Sequence, residues 1–249
     1  MNREQLAELL NVNARIIEAY RRQRGLDPEN DPSTILVIGS QSVHGLFSDY
    51  DLPEYASFSM EADLAYLPGR SDNDAFDRPT EEFADLLDAP TGEGSSWQDT
   101  HGFYSQGVEP TTACLPEGWE ERLVPFEDAR LPRTIRVVCL DPTDLCAAKL
   151  ARCAPNDTRF VAAMVSKGLV DPMLLRERFE TIPVDADFTE ERKDIGRAFA
   201  GCLMREQQET VGGMEQRLLE EADAEYDRRM GGGEQKRKAA GLPDGGQWE

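Results

Sequence analysis

Apolar residues recur at helical spacing over residues 3–24, where Leu6, Leu9, Leu10, Ile16, Ile17 and Tyr20 share a face and charged residues fill the remainder. Gly25 and the Asp27–Pro28 pair end that helix, because glycine suits a helix C-terminus and proline cannot extend one. Ser33–Ile38 is a short β-branched apolar run, the pattern of a buried strand. Gln41–Phe47 predicts a short helix, residues 48–57 a loop containing Pro53, and Ser59–Leu67 a second strand. Residues 68–95 turn polar and rich in Gly and Pro, interrupted by Glu81–Asp88, whose Phe83, Leu86 and Leu87 share a helical face. A loop this long inside a compact domain is more often functional or mobile than accidental.

Gly92–Trp97 leads into a strand or hairpin expected around His101–Val108, and Thr134–Leu140 reads as the last clear strand. Asp141-Pro-Thr-Asp144 is a helix start: Asp141 caps, Pro142 takes the first helical position, and Asp144 lies near the positive end of the dipole. That helix continues through Leu145, Ala148, Lys149 and Arg152; a second runs from Asp157 to Lys167, and Asp171–Pro172 begins a third. From Phe188 a long helical pattern carries Ile195, Ala198, Phe199, Cys202 and Leu203. Gly212–Gly213 interrupts it, and it resumes through Leu218, Leu219 and Tyr226. Beyond Met230 the chain has little to bury and reads as disordered. The expected fold class is α+β: a small mixed β-sheet core over residues 1–140, a helical C-terminal part over 141–230, and a tail over 231–249.

Charge narrows the partners. The 249 residues carry 48 acidic against 27 basic side chains, a net charge of −21. Such a surface repels polyanions, so broad nucleic-acid binding is disfavoured without a local basic patch. Arg15, Arg21, Arg22 and Arg24 form the one obvious candidate, and a solvated helix end near the favourable dipole explains them more simply. Five cysteines without C-x-x-C spacing, and only His44 and His101 beside them, argue against structural zinc. Without an apolar run of spanning length or a basic-then-apolar leader, the expectation is a reduced, soluble, cytoplasmic protein that meets no membrane.

Two short stretches carry chemistry. Gly39–Ser40 ends the apolar run Ile35–Ile38; glycine lets backbone approach a phosphate, and the amides of a following helix favour an anion. Glu61 and Asp63, two apart on the second expected strand, face one side. Two carboxylates aimed at one point repel unless a cation lies between them, and Mg²⁺ bridging substrate phosphates is the usual answer. Each signal alone is more often a plain turn or a solvated strand face. In this order they point to nucleotidyl transfer.

Five blocks in order, IGSQSVHGLF, SMEADLAYL, GEGSSWQDTHGFYSQGV, LPEGWEERLV and CLDPTDLCAAKLA followed by ND-x-x-F, resemble a family of poorly characterised bacterial nucleotidyltransferase-like proteins. These are distantly related to AbiEii-type toxins and to the polymerase-beta-like nucleotidyltransferase superfamily. The resemblance spans roughly residues 5–180. It implies a mixed-sheet nucleotidyltransferase core in which Gly39 and Ser40 hold the triphosphate and Glu61 and Asp63 bind Mg²⁺ or Mn²⁺. Asp49 and Asp51 form a rival acid-x-acid pair, but Pro53 and the lack of apolar alternation place them in a loop. Lys149 and Asp157 are the further catalytic candidates that the resemblance implies. Where the family leads one to expect a histidine near Gln98 and a basic pair near Ala154 and Asn156, this chain is neutral, which weakens charge compensation of a triphosphate. The function implied is a metal-dependent nucleotidyltransferase moving NMP from an NTP to a nucleic-acid acceptor, RNA among them, or to a protein acceptor, as the toxin partnered by an antitoxin protein. The alternative is a catalytically silent nucleotide-binding or protein-interaction module.

Overall fold

The computed structural model describes residues 1–206 apart from 28, 58 and 187, together with Glu220, Glu221, Asp223, Ala224 and Arg228. The expected glycine break at 212–213, the resumption through Leu218, Leu219 and Tyr226, and the tail from 231 lie outside these residues.

The chain opens with helix α1 (Arg3–Gln23), capped by Asn2, and ends at Gly25, whose φ of +79° suits glycine. Strands β1 (Ser33–Val37) and β2 (Glu61–Leu67) follow, separated by 3₁₀ turns at Ser40–Gly45 and Glu54–Ser57. Helices α2 (Arg70–Ala75), α3 (Pro79–Asp88) and α4 (Ser96–His101) precede strand β3 (Tyr104–Val108), and the short β4 (Val124–Pro125) precedes β5 (Ile135–Cys139). Helices α5 (Pro142–Arg152), α6 (Pro155–Ser166), α7 (Pro172–Glu180) and α8 (Glu190–Glu206) complete the described order.

The five strands form one mixed sheet in the order β3-β2-β1-β5-β4. β1 runs antiparallel to β2 and parallel to β5, β2 runs parallel to β3, and β4 is antiparallel to β5. This is the α+β architecture that the hydrophobic pattern predicts. Of the strand or hairpin expected around His101–Val108, the structure forms the strand β3, parallel to β2. Other details differ: residues 96–101 are helical, capped by Ser95, Arg70–Ala75 is a helix inside the stretch expected as loop, and the short helix expected at Gln41–Phe47 is a 3₁₀ turn. The two-residue strand β4 is too short to leave a periodic signal.

Strand alternation divides the apolar side chains between the two sheet faces. Ile35 and Val37 of β1, Ala62, Leu64 and Tyr66 of β2, and Val137 of β5 pack against Leu6, Leu10, Ile17 and Phe83 from α1 and α3. Leu36, Ile38, Ala65 and Val138 point the other way and join Leu145, Leu150, Phe160, Phe179, Phe199 and Leu203 from α5 to α8. The C-terminal helices thus share a core with the sheet. On the α1 face lies a buried ion pair: Arg21 Nε donates to Asp72 Oδ1 at 2.7 Å, both side chains fully buried. Tyr66 Oη and the Gly69 amide also donate to Asp72.

Arg21 is therefore a core residue. The other arginines of the sequence patch are matched as well: Arg22 pairs with Glu18, Arg24 with Glu82, and Arg15 donates to Asn11. That end of α1 is not a free cationic surface.

Candidate active site

The site forms where β1 ends beside the start of β2. Ile38 N donates to Asp63 O at 3.0 Å, which brings the Gly39 turn against the acid-bearing strand. On β2 the even residues Ala62, Leu64 and Tyr66 are fully buried against the α1 layer. The odd residues Glu61 and Asp63 face the side covered by α5–α8 and are half-buried. Both carboxylates thus lie on one sheet face, beside the turn.

Contact between turn and strand is intimate. A Cβ built on Gly39 would lie 1.7 Å from Asp63 Oδ2. The φ of Gly39 is −87°, an ordinary value, so glycine is required here by the Asp63 carboxylate and not by backbone conformation. Ser40 opens a 3₁₀ helix of six residues, shorter and tighter than an α-helix, so little aligned dipole supports an anion at its start. Gln41 in this turn is fully buried and donates from Nε2 to Ser59 O at 2.8 Å, while its Oε1 lacks a protein partner.

The acids are crowded. Burial pushes the Asp63 carboxyl up to about 6, with the Glu61 charge and a shared hydrogen bond adding to it and the charges of Lys149 and Arg152 opposing it. Tyr104 Oη donates to Glu61 Oε2 at 2.8 Å. Among the described residues no group of three or more His, Cys, Asp or Glu is arranged to hold a metal ion. Two adjoining carboxylates, one reluctant to ionise, nevertheless fit a divalent cation that takes its remaining ligands from phosphate oxygens and water.

Lys149 and Asp157, on successive helices, meet: Lys149 Nζ donates to Asp157 Oδ1 at 3.1 Å and lies 4.7 Å from the Phe160 ring centroid. Lys149 is buried rather than a solvated helical lysine. Ala154, not Asp157, is the N-cap of α6; Asp157 sits three residues on and accepts from the Ala154 amide. Arg152 completes the group, its Nε and Nη2 gripping the two oxygens of Asp157 at 2.6 and 2.7 Å. Burial disfavours the Asp157 charge, but the Arg152 hydrogen bonds and the Lys149 charge outweigh it and hold its carboxyl below the usual range. Arg152 is the residue that sequence reasoning passed over. Its position three residues after Lys149 on α5, one helical turn away, was the available signal.

The positions where basic residues were expected have structural partners instead. Gln98 Oε1 accepts from the Gly94 amide at 2.6 Å, and Asn156 Oδ1 accepts from Tyr55 Oη at 2.9 Å. Asp49 and Asp51 lie in the exposed loop, where Asp49 accepts from the Arg3 amide and Asp51 from Ser48.

The paired acids of β2 thus lie beside a glycine turn at the end of β1, with Lys149 and Arg152 on α5. The chain belongs to the family described as "Nucleotidyltransferase of unknown function (DUF6036)". The match covers residues 14–199, and so takes in the turn, the paired acids, Lys149, Arg152 and Asp157. No curated protein and no solved structure matches the chain. Among the described residues no helix is long and apolar enough to cross a membrane.

Proposed function

We propose that this member of the nucleotidyltransferase family is a metal-dependent enzyme that transfers NMP from an NTP to a hydroxyl of an RNA or protein acceptor. The observation that carries the reading is the fit of the Asp63 carboxylate into the space above Gly39, with Glu61 beside it on the same face. Glu61 and Asp63 would hold Mg²⁺ or Mn²⁺, which on binding offsets phosphate charge and aligns the transferred phosphoryl group. The Gly39–Ser40 turn lies against Asp63 and binds the triphosphate beside it. Lys149 and Arg152, whose charges reach Asp63, offset the charge that grows on the departing phosphates. Asp157 takes no part in bond changes and holds both cations in place. The charge of −21 favours a small or protein acceptor over long polynucleotides, which suits a toxin acting on a defined target and held by an antitoxin of basic surface.

The neutral residues at Gln98, Ala154 and Asn156 favour a second reading, a nucleotide-binding module that has lost turnover. Incubation with α-labelled NTPs, Mg²⁺ or Mn²⁺, and total RNA or protein separates the two. Label transferred to an acceptor with release of pyrophosphate, absent in Asp63→Asn, is the result expected. Melting-temperature shifts with NTP and metal but no pyrophosphate would favour the second reading, and no shift at all would overturn both.

A further inference from the structure

Tyr104 lies directly opposite Glu61 in the parallel β2–β3 pairing, and its hydroxyl reaches back to Glu61 Oε2 at 2.8 Å. Asp63 is held differently. Its Oδ2 occupies the space that a side chain at residue 39 would need, so close packing limits where that carboxylate can turn. Glu61 has one more methylene, sits at the first position of the strand and is only half-buried. Once both acids are ionised and the hydrogen bond they share is lost, repulsion from Asp63 would swing it toward solvent, where a carboxylate is better hydrated. The Tyr104 hydroxyl opposes that swing. It also occupies one carboxylate oxygen, leaving the other to face a cation.

The next residue on the same face of β3 is Gln106, in register with Asp63 and exposed. Strand β3 therefore brings the Tyr104 hydroxyl to the acid pair and no third charge, while the exposed Gln106 makes no hydrogen bond to either acid.

We propose that Tyr104 is a positioning residue, which fixes the orientation of the Glu61 carboxylate and pre-organises the carboxylate pair before a divalent cation arrives. This rests on the reading of Glu61 and Asp63 as the cation site. A hydrogen bond from a neighbouring group to a ligating carboxylate sets its orientation, and losing such a partner typically weakens metal affinity about 10–100-fold.

The test is Mn²⁺ binding followed by electron paramagnetic resonance, with a non-hydrolysable NTP present, on the full chain. Wild type, Tyr104→Phe, Glu61→Gln and the double variant form a cycle, and Gln106→Ala serves as a control on the same strand. Tyr104→Phe keeps the ring and should weaken Mn²⁺ affinity by about 10-fold or more, while Gln106→Ala leaves it unchanged. In the Glu61→Gln background Tyr104→Phe should add nothing, because the hydroxyl acts only through the carboxylate. Equal affinity of wild type and Tyr104→Phe, an equal loss in both backgrounds, or the same loss in Gln106→Ala would overturn the role of Tyr104 and leave the cation site standing. Failure of the wild type to bind Mn²⁺ would overturn the cation site itself, and the role of Tyr104 with it.

Discussion

At the scale of single residues, Gly39 and Asp63 are one feature seen from two strands. The glycine is legible in the sequence as a turn after an apolar run, but the reason for it is not. A Cβ there collides with Asp63 Oδ2 at 1.7 Å, a contact between residues 24 positions apart in the chain. Gly39→Ala should push the Asp63 carboxylate out of place and cost about 1–3 kcal/mol in urea unfolding, as overpacking does. The NTP- and metal-dependent rise in melting temperature should fall with it. Asp63 also carries a pH signature. Its folded-state carboxyl is raised to about 6 from an ordinary 3.8, so between these values the folded state holds more protons than the unfolded chain. Stability of the metal-free protein should therefore fall as pH rises from about 4 to about 6. Thermal melts across that range should show this contribution in the wild type and lose it in Asp63→Asn.

Helices and strands add charge relationships that no local pattern displays. Arg21 sits in an arginine-rich stretch that reads as a solvated helix end, yet its side chain is fully buried against Asp72. Asp72→Asn would keep the shape but leave a buried guanidinium without its ionic partner. The expected loss is about 3–5 kcal/mol in denaturant unfolding, the range for breaking a buried pair. Arg152 is the opposite case, with a side chain 68 % exposed although it grips Asp157. Arg152→Ala leaves the buried Asp157 carboxylate with Lys149 as its remaining ionic partner and should cost about 1–3 kcal/mol in denaturant unfolding. It should weaken NTP binding by about 10-fold, the value of one charge-assisted hydrogen bond, as titration calorimetry with a non-hydrolysable NTP would measure. The acid-x-acid pair was legible because the strand period places both acids on one face, whereas Lys149 and Asp157 were candidates only through the family resemblance. The partnership of Lys149 and Arg152 with Asp157 was not legible, because it depends on how α5 turns into α6.

Across the whole molecule, the helices after β5 complete the sheet's own core. Phe199, Ala200 and Leu203 of α8 are buried in the same cluster as Leu36, Ile38 and Val138 of the sheet, and Gly196 lets α8 close on Phe179. Truncation before Ile195 should expose the apolar face beneath α8, abolish a cooperative melt and produce aggregates by light scattering. Retention of a cooperative melt by that variant would show that α8 is dispensable to the core.

The sequence by itself determined the periodicities: helix α1, strands β1, β2 and β5, the Asp141 and Asp171 caps, and the two acids on one strand face. Each of these follows from side-chain spacing and local capping within a few residues, so chain order is enough to reveal it. The same chain order, through five blocks, also resembled the family to which the chain belongs. Only the tertiary structure decided the parallel pairing of β3 with β2, the placement of Tyr104 on Glu61, the burial of Arg21 and the fit of Asp63 over Gly39. Those depend on which distant segments become neighbours, and the cost of desolvating charge and filling space is set by neighbours rather than by sequence distance.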